Sequence, residues 1–501
     1  MERYSSQSTL APAEHQKEYT QGQIIKFDIP AFYGFIDPRQ SFLRMNVELV
    51  GECKLRLSKD LGSQALISSI RIYDHSNSQL LENIENYGEL VKILNVYGDN
   101  QTLKHQRQLL EAVDTETKLG HLDLNNALFF NQYSEEVSTT TEEVVNKNIV
   151  QVAMKIHSGI LGGEKVFPVN AFGGLRVEIE LNRAVKAVMM AEFGADELNC
   201  PTLGAALGAG AENALYLNQK PNEIPFVIGQ TITVKVDAAE TFVDVEITGI
   251  EYSLITGSAL YGTKITFASA TIGASAIGSK VFYHKNTRVD FASSLNFKLT
   301  NVEMCLKQVN PPASYVNDMT KQMGSEEGLS LDVKTFDLVR SNIQAGQLIN
   351  EQPIRSFSNR VYSVLSVLVA NDGDFIHQDS FISVSDGLKK YSYAIDGKKN
   401  PNRDVETGLT TNNAHFINQQ STFELQKALE SCGITIRELP VKKNFLVGRA
   451  MGRYGGVFNL KEHNLTLRTE YETATSSLLC LNYLCSLRRL NVSNKGIQVI
   501  P

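Results

Sequence analysis

The chain has 501 residues, is 42% hydrophobic and carries a net charge of −7, which suits large buried cores and excludes a disordered chain. That acidic balance removes any global electrostatic reason to bind nucleic acid, and no apolar run approaches the roughly 18 residues of a membrane span. The start of the chain lacks the apolar segment of a signal peptide, and the six cysteines, Cys53, Cys200, Cys305, Cys432, Cys480 and Cys485, show no C-x-x-C spacing, so they read as reduced core residues of a reducing compartment.

Residues 1–20 are polar and read as a flexible arm, either frayed or ordering against a neighbouring subunit. A first β-rich domain is expected over 21–310. Residues 24–32 read as a strand ending at Pro30. After the Asp37-Pro38 turn, Leu43, Met45, Val47 and Leu49 alternate with Arg44, Asn46 and Glu48, which is the period of a half-buried strand. Residues 53–57 and 65–73 read as two further strands. From Glu89 the period of two is lost, and helix formers predict a helical excursion over 87–113, broken at Gly98 with Asp99 or Asn100 capping the second helix. Residues 114–146 read as a long polar excursion.

The stretch 150–182 carries the clearest signal. Val150, Val152, Met154 and Ile156 alternate with polar or small residues, and so do Leu175, Val177, Ile179 and Leu181 with Arg176, Glu178, Glu180 and Asn182. Two strands follow from this, with a Gly-rich turn region between them. A β-rich insertion is expected at about 190–290. Its first part is rich in small residues, and 225–285 read as four or so short strands. Residues 295–310 read as a strand whose apolar phase slips between Leu299 and Val302, predicting a bulge. Pro311-Pro312 then opens a linker helix (311–324) with Tyr315, Met319 and Met323 at helical spacing and Gly324 as its stop. The second domain, 325–501, shows strand patterns at 333–340, 354–370, 375–384 and 390–395, a capping box at 421–424, a helix ended by Gly433, and further strands to the end.

No catalytic, cofactor or metal constellation emerges, and the chain reads as a non-enzyme without cofactors. The nine histidines are scattered, with no H-E-x-x-H, and no G-x-S-x-G occurs. The run GAALGAG (204–210) lacks the G-K-[ST] of a phosphate loop and reads as a flexible loop. Glu178 and Glu180 share a strand face with Arg176, which reads as a solvated or subunit-contact face before an acid/base pair. Lys442, Lys443, Arg449 and Arg453 form a basic cluster, with Arg488 and Arg489 later; the readings are ordinary surface charge or an inward patch facing polyanion.

A weak internal echo organises the whole. Gly162-Gly163, Val166-Phe167 and Leu175-Arg176-Val177-Glu178-Ile179-Glu180 return in order as Gly455-Gly456, Val457-Phe458 and Leu467-Arg468-Thr469-Glu470-Tyr471-Glu472. With two β-rich halves this predicts a β-dominated fold of two tandem eight-stranded antiparallel jelly-roll sandwiches, with a few helices in loops. The echoed charges make Arg176, Glu178, Glu180, Arg468 and Glu470 the assembly-interface candidates.

The segments FIDPRQSFLRMNVEL, SGILGGEKVFPVNAFGGLRVEIEL, IRSFSNRVYSVLSVL and YAIDGKKNPNRDV, with the closing GIQVIP, resemble the double jelly-roll major capsid proteins of virophages, Polinton-like viruses and adenovirus-like elements. The resemblance spans roughly 20–185 and 295–501, outside the insertion. It implies a homotrimer forming a pseudo-hexagonal tile of an icosahedral shell in the virion. Implied partners are neighbouring capsomers and penton and minor or cement proteins, with the genome or an inner membrane on the inward face, where Lys442, Lys443, Arg449 and Arg453 are the candidates. A carbohydrate-binding β-sandwich competes but is weakened by the absence of tryptophan. A minor or penton capsid protein is weakened by the tandem echo.

Overall fold

A computed structural model of the chain describes residues 5–501 apart from 15, 51–54, 59, 77, 114–130, 138–139, 147–148, 191–201, 208–209, 220–223, 225–227, 229–230, 237–240, 258–259, 273, 275, 279–280, 284–294, 371–380, 382, 408–418, 437–444 and 453–455. The first half opens with β1 (Ser5–Leu10), β2 (Ile24–Pro30), β3 (Phe35–Ile36), β4 (Phe42–Val50), β5 (Leu55–Leu57), β6 (Ile67–Asp74) and β7 (Leu80–Glu85). Helices α1 (Tyr87–Gly98) and α2 (Gln101–Glu111) follow, then a hairpin of β8 (Asn131–Val137) and β9 (Thr140–Asn146). Next come β10 (Ile149–Met154), β11 (Phe167–Pro168), β12 (Gly174–Leu181), α3 (Ala184–Ala187) and β13 (Val188–Met190). The insertion supplies β14 (Gly210–Leu217), β15 (Thr231–Val236), β16 (Thr241–Leu254), β17 (Tyr261–Ile272) and β18 (Val281–Tyr283), and β19 (Asn296–Val309) closes the half. After α4 (Ala313–Met323) the second half runs β20 (Leu329–Ile343), β21 (Ile349–Ile354), β22 (Val361–Ala370), β23 (Leu388–Ile395), β24 (Lys398–Glu406), α5 (Gln419–Ser431), β25 (Leu446–Ala450), β26 (Leu465–Tyr471), β27 (Leu478–Ser493) and β28 (Gly496–Ile500).

Both halves fold as the period of two dictates. In β12, Leu175, Val177, Ile179 and Leu181 are buried while Arg176, Glu178 and Glu180 stay half-exposed. Each apolar side chain so buried is worth about 1.5–3 kcal/mol. The two halves are also wired identically. The first stacks a sheet in the order β1-β19-β4-β10 on a sheet β2-β12-β6-β7; the second stacks β20-β27-β22-β25 on β21-β26-β23-β24. Counting only these eight strands, both read 1-8-3-6 over 2-7-4-5, with every pairing antiparallel, which is a jelly roll. The echoed segments β12 and β26 are the seventh strand of their respective rolls.

Four expectations need correction. The polar start is not a free arm in residues 5–10: β1 pairs with β19 from Ser5↔Val309 to Leu10↔Met304, because the edge of β19 offers unpaired backbone groups within its own chain. Residues 131–137 and 140–146 pair as antiparallel strands, and β8 joins β16 in parallel to enlarge the insertion sheet. The start of GAALGAG is packed, with Leu203, Ala205 and Leu207 buried; 208–209 lie outside the described residues. Residues 421–424 do not cap a helix, since α5 begins at Gln419 and Glu424 is drawn to Arg449 of β25. Of the expected strand at 375–384, only 381, 383 and 384 are described, and Ser383 forms an isolated antiparallel bridge with Val369.

Other local readings hold. Asn100 caps α2 by accepting from the Leu103 amide at 2.9 Å. The register of β19 slips between Thr300 and Glu303, with Asn301 at φ 50°. Gly433, at φ 82°, terminates α5, while the Ile434 amide donates to the Leu429 carbonyl.

The rolls stand side by side and parallel. Glu85, at the end of β7 that leads into α1, pairs with Arg340 near the end of β20 at 2.9 Å. Toward the opposite end, Arg488 of β27 donates to the Leu81 carbonyl of β7 at 3.0 Å. This packing buries β27 and β22 on both faces. Leu478, Cys480 and Leu484 enter the core of the second roll, whereas Leu481, Tyr483 and Cys485 pack toward the first roll and α5. Two-sided burial explains why LLCLNYLCSL lacks alternation.

Candidate assembly surface

The sequence candidates lie on the outer face of the 2-7-4-5 sheets, and each roll repeats the same arrangement there. In the first, Arg176 lies opposite Asp28 of β2 and contacts it at 2.8 Å, while Glu180 accepts from Arg71 of β6 at 2.9 Å. In the second, Arg468 lies opposite Glu351 of β21 at 3.7 Å, while Glu470 lies opposite Lys390 of β23 at 3.0 Å. In both rolls an arginine of the seventh strand reaches an acid on the second, and a glutamate of the seventh reaches a base on the fourth. Glu178 lies opposite Lys26 on one side and Arg71 on the other. Such half-exposed pairs contribute only about 0.2–1 kcal/mol each. Their effect is to fix cross-strand register and to give the face a mixed, balanced charge.

Of the basic cluster, only Arg449 lies among the described residues. Arg449 contacts Glu424 of α5 and donates to Asn400 Oδ1 at 2.6 Å, with a side chain only 16% exposed. Its charge is neutralised inside the roll because β25 packs directly under α5. Lys442, Lys443 and Arg453 lie outside the described residues. Arg488 pairs with Asp337 at 2.7 Å and Arg489 with Asp332 at 2.8 Å. Asp332 also accepts from Arg360 at 3.0 Å. The hydrogen bond from Arg489, helped by Arg360 and opposed by partial burial, holds the Asp332 carboxyl down at about 2.

Successive strands of an antiparallel sandwich alternate ends, so the topology sorts the loops. One end of the paired rolls gathers α1, α2, the β8–β9 hairpin, the β14–β18 insertion and α5. The opposite end holds the short connections, including 31–41, 155–173, 355–360 and 451–464, together with α4. This second end carries a feature missed in the sequence. Phe32 is 80% exposed and Phe357 is 82% exposed, each in the connection between the second and third strands of its roll. Val166 and Val457, each 40% exposed, occupy the connection before the seventh strand of each roll. The echo contained this signal in its two VF pairs, whose Phe167 and Phe458 are more buried than the valines before them. Among the described residues, no group of three His, Cys, Asp or Glu side chains is placed to hold a metal ion.

Solved structures share this architecture. A chain of the Sputnik virophage, from a cryo-EM structure, is 9% identical over 99% of this chain and 88% of that one, with a TM-score of 0.51. The Faustovirus major capsid protein is 9% identical over 98% of this chain and 90% of that one, with a TM-score of 0.50. At such identity the likeness is one of fold, and it bears out the double jelly-roll resemblance at that level. No family model and no curated protein matches the sequence.

Proposed function

We propose that the chain is a viral major capsid protein whose activity is self-assembly. The observation that carries this reading is the duplication: two rolls with identical strand order stand parallel, so that corresponding connections fall at the same end. Three such chains place six similar barrels around one axis, a pseudo-hexagonal tile able to pave an icosahedral shell. The double jelly-roll likeness to the Faustovirus major capsid protein supports the same reading. The location would then be the virion, with neighbouring tiles and penton and minor proteins as partners. Obligate interfaces of this kind bury on the order of 2,000–5,000 Å².

The arrangement of loops suggests an orientation. A five-stranded insertion extended by a hairpin needs free volume, so that end faces outward, and the end bearing Phe32 and Phe357 faces the particle interior. Native mass spectrometry of the purified chain should show a trimer, and negative-stain images should show pseudo-hexagonal tiles. A stable monomer at micromolar concentration would refute the proposal. On assembled particles, limited proteolysis should cut within 190–290 and spare 355–360; the reverse pattern would invert the orientation.

A further inference from the structure

Among the cysteines described, two converge. Cys485 of β27 lies directly across the sheet from Ser363 of β22, and both point toward α5 rather than into the core of the second roll. Cys432, one residue past α5, brings its Sγ to 2.7 Å from Ser363 Oγ, which places it beside Cys485 on the same side of the sheet. Both thiols are reduced and buried. The other two cysteines among the described residues are poorly placed. Cys480 faces the opposite side of β27, in the other core, and Cys305 lies on β19 of the first roll.

The pair is chemically asymmetric. Burial works against the Cys432 thiolate, but hydrogen bonds from Cys485 and Ser363 and the nearby Lys334 ammonium outweigh it and lower this thiol below its ordinary range. Lys334 is held there by donating to the Cys432 carbonyl at 3.0 Å and by lying over the Tyr362 ring. Burial raises the Cys485 thiol, and burial likewise pushes Cys480 up to about 12. The Lys334 ammonium, held against the Cys432 backbone, marks Cys432 as the sulfur that attacks and Cys485 as the one that resolves.

We propose that Cys432 and Cys485 form an oxidisable dithiol site, which a peroxide converts into a disulfide stapling the end of α5 to β27. In the first step the Cys432 thiolate attacks one peroxide oxygen, the O–O bond breaks, and the departing hydroxide takes up the thiol proton, leaving a sulfenic acid and one water. In the second, the Cys485 sulfur attacks the sulfenic sulfur, the S–O bond breaks, and the hydroxyl leaves with the Cys485 proton as a second water. Two thiols are oxidised by two electrons and one peroxide is reduced to two waters. The staple closes the chain across β25 and β26 and ties α5 to a strand that both rolls share in packing. A chain assembled in a reducing cell and later exposed to an oxidising medium would be locked in its folded arrangement without any new contact.

The test treats the intact folded chain with hydrogen peroxide under native conditions. The expected result is a mass loss of about 2 Da, reversed by dithiothreitol, with peptide mapping that links residues 432 and 485. The oxidised chain should melt several degrees higher, about 5 °C, than the reduced one. Cys432→Ser should abolish the link, while Cys480→Ser should leave it intact. Because the mapping is read on the unsubstituted chain, misfolding of a variant does not blunt the test. Cys432 and Cys485 both alkylatable after oxidation and denaturation would overturn the proposal. So would a link through other cysteines only, a Cys432 sulfinic acid without a link, or an unchanged melting temperature.

Discussion

Val177 and Glu178 are adjacent and have opposite fates. Val177 is fully buried between sheets, whereas Glu178 lies on the outer face between Lys26 and Arg71. Val177→Asp places an unpaired carboxylate in the core and should abolish folding, as read by circular dichroism. Glu178→Ala should shift stability by no more than about 0.5 kcal/mol in urea titration. Equal behaviour of the two variants would mean that the register of β12 is wrong. Asp332 gives a second expectation. Its folded pKa of about 2 lies below the ordinary 3.8, so the folded state holds its proton less tightly than the unfolded chain. The resulting stabilisation is present above about pH 4 and is lost as pH falls from 4 to 2. Asp332→Asn should therefore flatten that part of the acid limb in thermal melts while lowering stability at pH 7.

Strand β1 shows how an element can be read correctly in composition and wrongly in role. Its sequence, SSQSTL, has little apolar content, so nothing in it announces a strand. It is recruited by the edge of β19, whose amides and carbonyls from Met304 to Val309 need partners. Deleting residues 1–12 should expose that edge, lower the melting temperature by several degrees and promote association detectable by light scattering. The capping-box error has a related cause. Glu424 has the spacing of a cap, yet Arg449 arrives from a strand 25 residues later and claims it. Local pattern loses to a tertiary ion pair there, whereas the Asn100 side chain stays with its own helix and accepts from the Leu103 amide. Asn100→Ala should cost about 1 kcal/mol by urea titration.

The paired rolls depend on a few groups that cross between them. Arg488 joins Asp337 of its own roll to the Leu81 carbonyl of the other, and Tyr483 donates to the Asn86 carbonyl at 2.9 Å. Arg488→Ala leaves the Asp337 carboxylate and the Leu81 carbonyl short of a donor and should cost about 1.5–3 kcal/mol, measured as a lower urea midpoint. The alternation in 150–182 and 43–49, the slip in β19 and the echo between β12 and β26 were all legible in the sequence, because strand period and bulges are local consequences of which side chains seek the core. The chain alone thus determined a duplicated, antiparallel β architecture and the faces of its principal strands. Other features needed the tertiary structure: the parallel stance of the rolls, the two-sided burial of β27, the neutralisation of Arg449, the matched exposure of Phe32 and Phe357, and the meeting of Cys432 with Cys485. Each depends on residues tens to hundreds of positions apart, and which of them meet is set by how the sheets stack and pair, for which a linear pattern carries no signal.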